Sequence, residues 1–452
     1  MNEIEKKVLI KITPNSKDRE ILERVIDNLR KEIVKEIKKR NLEIDIELVG
    51  STAKDTYLKN NLDIDYFLCF PKEFKKENIS RYALSIGKSI LEKPEESYAE
   101  HPYIRGYFKN FFVEIVPCYI IKDISQKASA VDRTPLHTKF IKDNIKEEEK
   151  GEVRLLKQFL RGINCYGAEA EIQGFSGYLC ELLILKYHSF ERLLNDLKKW
   201  KEKVKLSLSN IEIKDFEDPL IFIDPVDKDR NVASAVSFEK FNLFKNAGKK
   251  YLAMPKTTFF FPNKIKVWAN KKIKREIEKQ NCKYIAIRFE KPDIIDENLY
   301  PQIRKAAKSV SDSAERFDFN ILDKDFFIEE KNKSIYMIFK TDKEDLTETI
   351  EHKGPPTKLR KNSREFMKKW KDDKRVIKKP YEKNDRLYVE LKREYRNFKD
   401  FLDSELINLS LGKSIDKIIE KNYKLLENDD LIIDSLAEFW TKYLDNKMPW
   451  ER

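Results

Sequence analysis

Asp63 and Asp65 lie two residues apart in LDIDYFLCF, and Glu114 lies in the middle of FFVEIVPCY. All three acids interrupt runs of apolar and β-branched residues. Side chains two apart on a strand point the same way, so Asp63 and Asp65 share a face. Carboxylates that close repel one another unless a cation sits between them. Mg²⁺ takes carboxylate oxygens and keeps positions open for water and phosphate. Just upstream, Gly50-Ser51-Thr52-Ala53-Lys54-Asp55-Thr56 offers a glycine that permits close backbone approach. Ser51 adds a hydroxyl and an amide suited to phosphate at a helix start. Glu114 is costly in an apolar strand unless it too meets a cation. If its strand neighbours the D-x-D strand, three carboxylates converge. Such a trio suits two metals, one activating an attacking hydroxyl and one stabilising a departing pyrophosphate. Singly, each feature has a bland reading: an exposed strand face, a common turn, an edge glutamate. Their order and spacing carry the chemistry.

These residues need elements to hold them. Residues 14–40 predict a helix, with Pro14 at its start and Leu22, Val25, Ile26, Leu29, Ile33 and Ile37 as its apolar stripe. IDIELVGS (44–51), LDIDYFLCF (62–70) and FFVEIVPCY (111–119) predict strands, with a helix over 79–92 between the last two. From 151 to about 250 the period turns helical, broken by a short strand at LIFID (220–224) and a turn in PVDKDRNVASAVS. YIAIRF (284–289), a helix over 296–316 and SIYMIF (334–339) predict a separate sheet-and-helix domain. HKGPP (352–356) predicts a break in regular structure, and the last 60 or so residues read as mostly helical.

Composition fits this plan. The 452 residues suggest about three domains at the usual domain size. With 40% hydrophobic and 12% aromatic residues, the chain can build real cores. No run approaches the roughly 18 apolar residues of a membrane span, and the N-terminus lacks a signal-peptide core, so an intracellular, cytoplasmic protein is expected. Lys and Arg total 91 against 79 acids, a net charge of +12 that favours a polyanionic partner. A Lys/Glu-rich surface suited to high temperature gives the same composition. The five cysteines are widely spaced, never C-x-x-C, and read as small buried hydrophobes rather than a zinc or disulfide framework.

GSTAKDTYLKNNLDIDYF resembles the G-S-x-A-x-x-T-x-L…[DE]-x-D signature of the nucleotidyltransferase superfamily that includes DNA polymerase beta. AEHPYIRGYFKNFFVEIVPCY, SAVDRTPLHTKF, EVRLLKQFLRGINCYGAE, GFSGYLCELLI and DPVDKDRNVASAVS follow in order and resemble the archaeal class I CCA-adding enzymes, specifically over roughly 45–240 and more loosely to the C-terminus. The resemblance implies a multidomain α+β chain: a polymerase-beta-like nucleotidyltransferase sheet with helices over 1–142, a mainly helical central domain over 143–256, a small α/β tRNA-binding domain over 257–380 and a mostly helical C-terminal tail over 381–452. It implies addition of C, C and A to the tRNA 3′ end from CTP and ATP with Mg²⁺, repair of damaged CCA ends, and a homodimer.

Residue by residue, the resemblance makes Asp63, Asp65 and Glu114 the catalytic, metal-binding carboxylates. Ser51 and Lys54 match positions that contact the triphosphate, with lysine where relatives often carry arginine. His137 falls at the nucleotide, able to donate to phosphate or ribose; otherwise it is a satisfied core or surface histidine. Lys157 is aimed at the triphosphate, although a helix-face lysine ordinarily snorkels to water. Tyr166 is placed at the sugar or phosphates, against the alternative of a tyrosine packing a helix end. Arg230 reads the base edge of C or A, against an arginine merely paired with Asp224 or Asp227. Between Lys353 and Lys379 stand twelve Lys/Arg and three acids, with Phe366 and Trp370 interleaved. That stretch can grip RNA by phosphate neutralisation and stacking, or form an amphipathic helix with both aromatics in a core. Another template-independent polymerase, such as a poly(A) polymerase, and a non-catalytic RNA-binding protein are the competing readings.

Overall fold

The computed structural model describes residues 1–59, 62–98, 101–210 and 213–452; Asn60 and Asn61 of the signature stretch and Ala99 and Glu100 of the AEHPYIRGYF block lie outside them. The chain divides into two compact units, Met1–Lys264 with Lys447–Arg452, and Ile265–Asn446.

The first unit begins with two helices, α1 (Glu3–Ile12) and α2 (Ser16–Lys39). Asn2 and Asn15 each start one with a reciprocal capping box. A sheet follows: β1 (Asp45–Val49), β2 (Asp63–Phe70), β3 (Glu92–Tyr98), β4 (Pro102–Phe108) and β5 (Phe111–Tyr119), in the order β1-β2-β5-β4-β3. The one-turn α3 (Gly50–Ala53) follows β1, and α4 (Lys76–Ile90) connects β2 to β3. Among these pairs β2 and β5 run parallel, which that crossover through α4 permits. Alternation sorts the sheet's two faces. Ile64, Tyr66, Leu68, Val113 and Ile115 bury against Leu22, Val25, Leu29 and Ile33 of α2 and Ile79, Ala83 and Ile86 of α4. The odd positions of β2 and the even ones of β5 therefore face away from those helices.

The rest of this unit is mainly helical: α5 (Thr134–Asn144), α6 (Glu147–Gly162), α7 (Gly177–Tyr187), α8 (Phe190–Asp196) and α9 (Phe238–Ala253), with a parallel pair β6 (Val204–Leu206) and β7 (Leu220–Phe222). Its core centres on Phe159, which meets Phe190, Phe244, Tyr251, Phe259 and Phe260.

The second unit holds α10 (Asn270–Lys279), β8 (Cys282–Glu290), α11 (Asp296–Arg316), β9 (Ile321–Glu329), β10 (Ser334–Asp342), β11 (Thr349–Pro356), α12 (Arg360–Lys369), β12 (Val376–Lys383), β13 (Arg386–Lys392), α13 (Phe398–Glu405), α14 (Lys413–Ile419), β14 (Lys424–Glu427) and α15 (Ala437–Leu444). One antiparallel sheet has the order β14-β8-β10-β9, with Leu299, Ile303, Ala306 and Val310 of α11 packed on it. A smaller one has the order β11-β13-β12.

In this region one expectation changes and one choice between two alternatives is decided. HKGPP does not break regular structure; it is the end of β11. That strand lies at an edge and its register shifts between Lys353 and Pro356, which tolerates proline. Gly354 makes room for the Phe366 ring, 2.7 Å from where a Cβ would stand. Trp370, a candidate for stacking on RNA, is 4% exposed and packs with Val389 and Leu391. Trp370 is core, Phe366 packs half-buried against it, and the lysines and arginines of α12 face outward.

All five cysteines are free and four are buried. No helix among the described residues is long and apolar enough to cross a membrane.

Candidate active site

The parallel ladder sets Asp63 opposite Phe112 and Asp65 opposite Glu114. Paired positions in a sheet share a face, so the three carboxylates stand on the surface turned away from α2 and α4. On its other side Glu114 faces Arg105 of β4. Burial, then the charges of Glu114 and Asp63, push the Asp65 carboxyl up to about 7. Burial chiefly, and Asp63 after it, raise Glu114. Asp63 is raised by burial, with Arg161 pulling the other way. Among the described residues no three His, Cys, Asp or Glu side chains already form a metal cluster. The donor set nevertheless fits a hard divalent cation: oxygens only, gathered on one face, with repulsion that a cation would relieve.

β1 runs antiparallel to β2 and pairs Val49 with Asp65. The chain leaves β1 at Gly50, with φ +72°. A Cβ there would stand 1.9 Å from Asp65 Oδ2. Only glycine allows both this backbone conformation and so close a carboxylate. Ser51 follows, half-buried, in the single turn of α3. No side chain caps the start of α3, so its first N–H groups remain available.

Lys54 and Lys157 both turn inward onto Glu181 of α7. Lys54 Nζ lies 2.5 Å from Glu181 Oε2, and Lys157 Nζ lies 3.3 Å from Oε1. Thr56 donates to Glu181 Oε1 at 2.5 Å, and Lys157 donates to the Thr56 carbonyl at 3.1 Å. Glu181 is fully buried and Lys157 is 2% exposed. Burial pushes the Glu181 carboxyl up, but the two ammonium groups outweigh it and hold it below the usual range. Lys157 does not snorkel: burial drives its ammonium down, opposed by Glu181.

The same helix gathers the remaining candidates. A Cβ on Gly177 would lie 3.1 Å from the Tyr166 hydroxyl and 3.6 Å from Lys157 Cε. The next residue, Tyr178, stacks on His137 with ring centroids 4.2 Å apart. Asp224, completely buried, accepts from Arg230 Nη1 at 2.9 Å and from the Tyr178 hydroxyl at 3.1 Å, and lies 2.9 Å from His137 Nε2. His137 and Arg230 hold its carboxyl down to about 2 against the effect of burial. Burial lowers His137 in turn, despite Asp224. Arg230 is thus paired with Asp224, while Asp227 pairs with Lys127 and Arg133.

The structure therefore forms three groups from the nine candidates: Asp63, Asp65 and Glu114 on the sheet with Ser51 in α3; Lys54, Lys157 and Tyr166 at α7; His137 and Arg230 on Asp224. Sequence reasoning missed Glu181, Tyr178 and the linking role of Asp224. Glu181 had a legible signal: a glutamate inside GYLCELLIL is as costly as Glu114 inside its strand unless a cation meets it.

Known protein families match most of the chain. The nucleotidyltransferase domain matches residues 30–137, the second domain of tRNA nucleotidyltransferase matches 151–261, and the C-terminal domain of CCA-adding enzyme matches 280–428. The CCA-adding enzyme of Methanosarcina mazei is 34% identical over 94% of this chain and 93% of its own length. Those of Haloarcula marismortui and Picrophilus torridus are 30% and 34% identical, covering 98% and 97% of this chain and 98% of each relative. The chain belongs to the CCA-adding enzyme family. It is a nucleotidyltransferase, and enzymes of this fold generally use divalent metal ions. Membership spans both units, since the matched segments fall in each.

Proposed function

We infer that the chain adds C, C and A to the 3′ end of tRNA from CTP and ATP, releasing pyrophosphate, and restores damaged CCA ends. The observation that carries this reading is the in-register pairing of Asp65 with Glu114 beside Asp63, in a chain similar to CCA-adding enzymes along nearly its whole length.

In this reading Asp63, Asp65 and Glu114 hold Mg²⁺. Bound there, the metal would lower the pKa of the tRNA 3′ hydroxyl and offset charge on the departing pyrophosphate. Gly50 lets the backbone come close to Asp65, and the Ser51 hydroxyl and amide receive phosphate oxygens. Lys54 and Lys157 supply positive charge toward the triphosphate. Because Glu181 neutralises only part of that charge, the trio keeps one net positive charge. Lysine acts here as a point charge without a fork, so it neutralises rather than clamps. Tyr166 packs beside them at the sugar or phosphates. His137 donates to phosphate or ribose. Asp224 takes one edge of the Arg230 guanidinium, which leaves its other N–H donors for the acceptors on C or A. A cytoplasmic location and a homodimer, which the family resemblance implies, complete the reading.

The deciding experiment offers labelled CTP alone to tRNA lacking its terminal CCA. Two additions and a stop, followed by one addition when ATP is supplied, support the reading. Long homopolymer tails would assign a poly(A)-polymerase-like activity, and no incorporation would leave an RNA-binding protein.

A further inference from the structure

In Ile265–Asn446, β14 pairs with β8 so that Lys424 stands directly opposite Arg288. Like charges facing each other across an antiparallel pair repel. The two border a cavity of about 330 Å³, which Lys333, Lys421, Tyr423 and Glu290 also line. Arg288 is held in place by a 3.2 Å hydrogen bond to Ser334 Oγ and lies 5.5 Å from the centroid of the Tyr336 ring. Among the described residues Lys333, Lys421 and Lys424 engage in no ion pair, although the chain carries 79 acids. Four cations face one carboxylate in a concave site. Such a concentration of unpaired positive charge is unfavourable in the free protein and favourable around an anion.

We propose that this cavity seats a backbone phosphate of the RNA substrate, as a contact separate from the carboxylate site. The arginine is the fixed donor, and the three lysines close around the phosphate as mobile point charges. Tyr423, half-buried at the wall, offers a ring for the adjoining ribose. The cavity has room for a phosphodiester and part of its sugar. The choice of RNA as occupant rests on the function proposed above; the positive charge of the cavity does not.

The test is the variant Lys333→Ala/Lys421→Ala/Lys424→Ala, whose side chains are exposed. Binding to tRNA lacking CCA is measured by filter retention across a salt series, with circular dichroism and Tm confirming the fold. Loss of one phosphate contact reduces the slope of log K against log salt by about 1 and weakens binding about tenfold at moderate salt. The KM for tRNA rises with it, while the KM for CTP and kcat at saturating tRNA stay unchanged. The triple Lys→Arg variant keeps wild-type affinity. Unchanged affinity and slope in the alanine variant overturn the proposal, as does a loss confined to kcat or to the KM for CTP. The binding measurement stands apart from catalysis, so failure of wild-type protein to incorporate CTP would count against the proposed function and not against this contact.

Discussion

Asp65 and Glu114 face each other in the parallel ladder between β2 and β5, both on the face that carries Asp63. Burial first, and then the charges of Glu114 and Asp63, push the Asp65 carboxyl up to about 7. We expect Asp65→Asn to abolish CMP and AMP incorporation, by about 10³-fold or more, the scale of a lost transition-state electrostatic contact. Binding of tRNA should survive. Mg²⁺ should raise the Tm of wild type and raise that of the variant less. Normal incorporation by the variant would remove the metal mechanism.

Glu181 is the buried anion between Lys54 and Lys157. Removing one partner of such a group leaves charge uncompensated, so Glu181→Ala should cost about 3–5 kcal/mol in urea unfolding. The carboxyl is held below its usual range, so its contribution is present above the unfolded pKa and lost as pH falls through the folded value. The gap between wild type and variant should therefore narrow in acid. A gap that stays constant with pH would mean that packing, not the ion trio, accounts for the loss.

Asp224 joins His137, Tyr178 and Arg230. Its folded pKa of about 2, against an ordinary 3.8, corresponds to about 2 kcal/mol of stability at neutral pH. That stability is complete above about pH 5 and disappears as pH falls through about 2. Chemical unfolding of wild type and Asp224→Asn at pH 7 and in acid reads it directly. Arg230→Ala should mainly relax nucleotide choice, so incorporation should be assayed with all four NTPs. An unchanged CTP, ATP, UTP and GTP profile would assign base reading to another group.

Trp370 packs in the small core beneath α12, so Trp370→Leu should lower the Tm while tRNA affinity at low temperature stays at the wild-type value. A large loss of affinity without a loss of stability would restore the stacking role.

Much of this was written along the chain. Alternating apolar runs determined β1, β2 and β5, and the D-x-D spacing put Asp63 and Asp65 on one face before any fold was known, because strand alternation is a local property. The helix over 296–316 matches α11, since its apolar stripe and acidic first turn are also local. Some local structure still escaped: α1 precedes the helix predicted from residue 14, and the β3–β4 hairpin carries a mostly exposed strand with little apolar signal. What only the tertiary structure decided is which distant groups meet. That Asp65 pairs with Glu114 rather than Asp63 depends on the register of two strands joined through α4 and a hairpin. That Lys54 and Lys157 both pair with Glu181 depends on α6 and α7 closing over the loop after β1. That Trp370 is core depends on a three-stranded sheet forming beneath it. Spacing in sequence reports neighbours within a strand or helix, whereas the balance of buried charge is set by side chains more than a hundred residues apart.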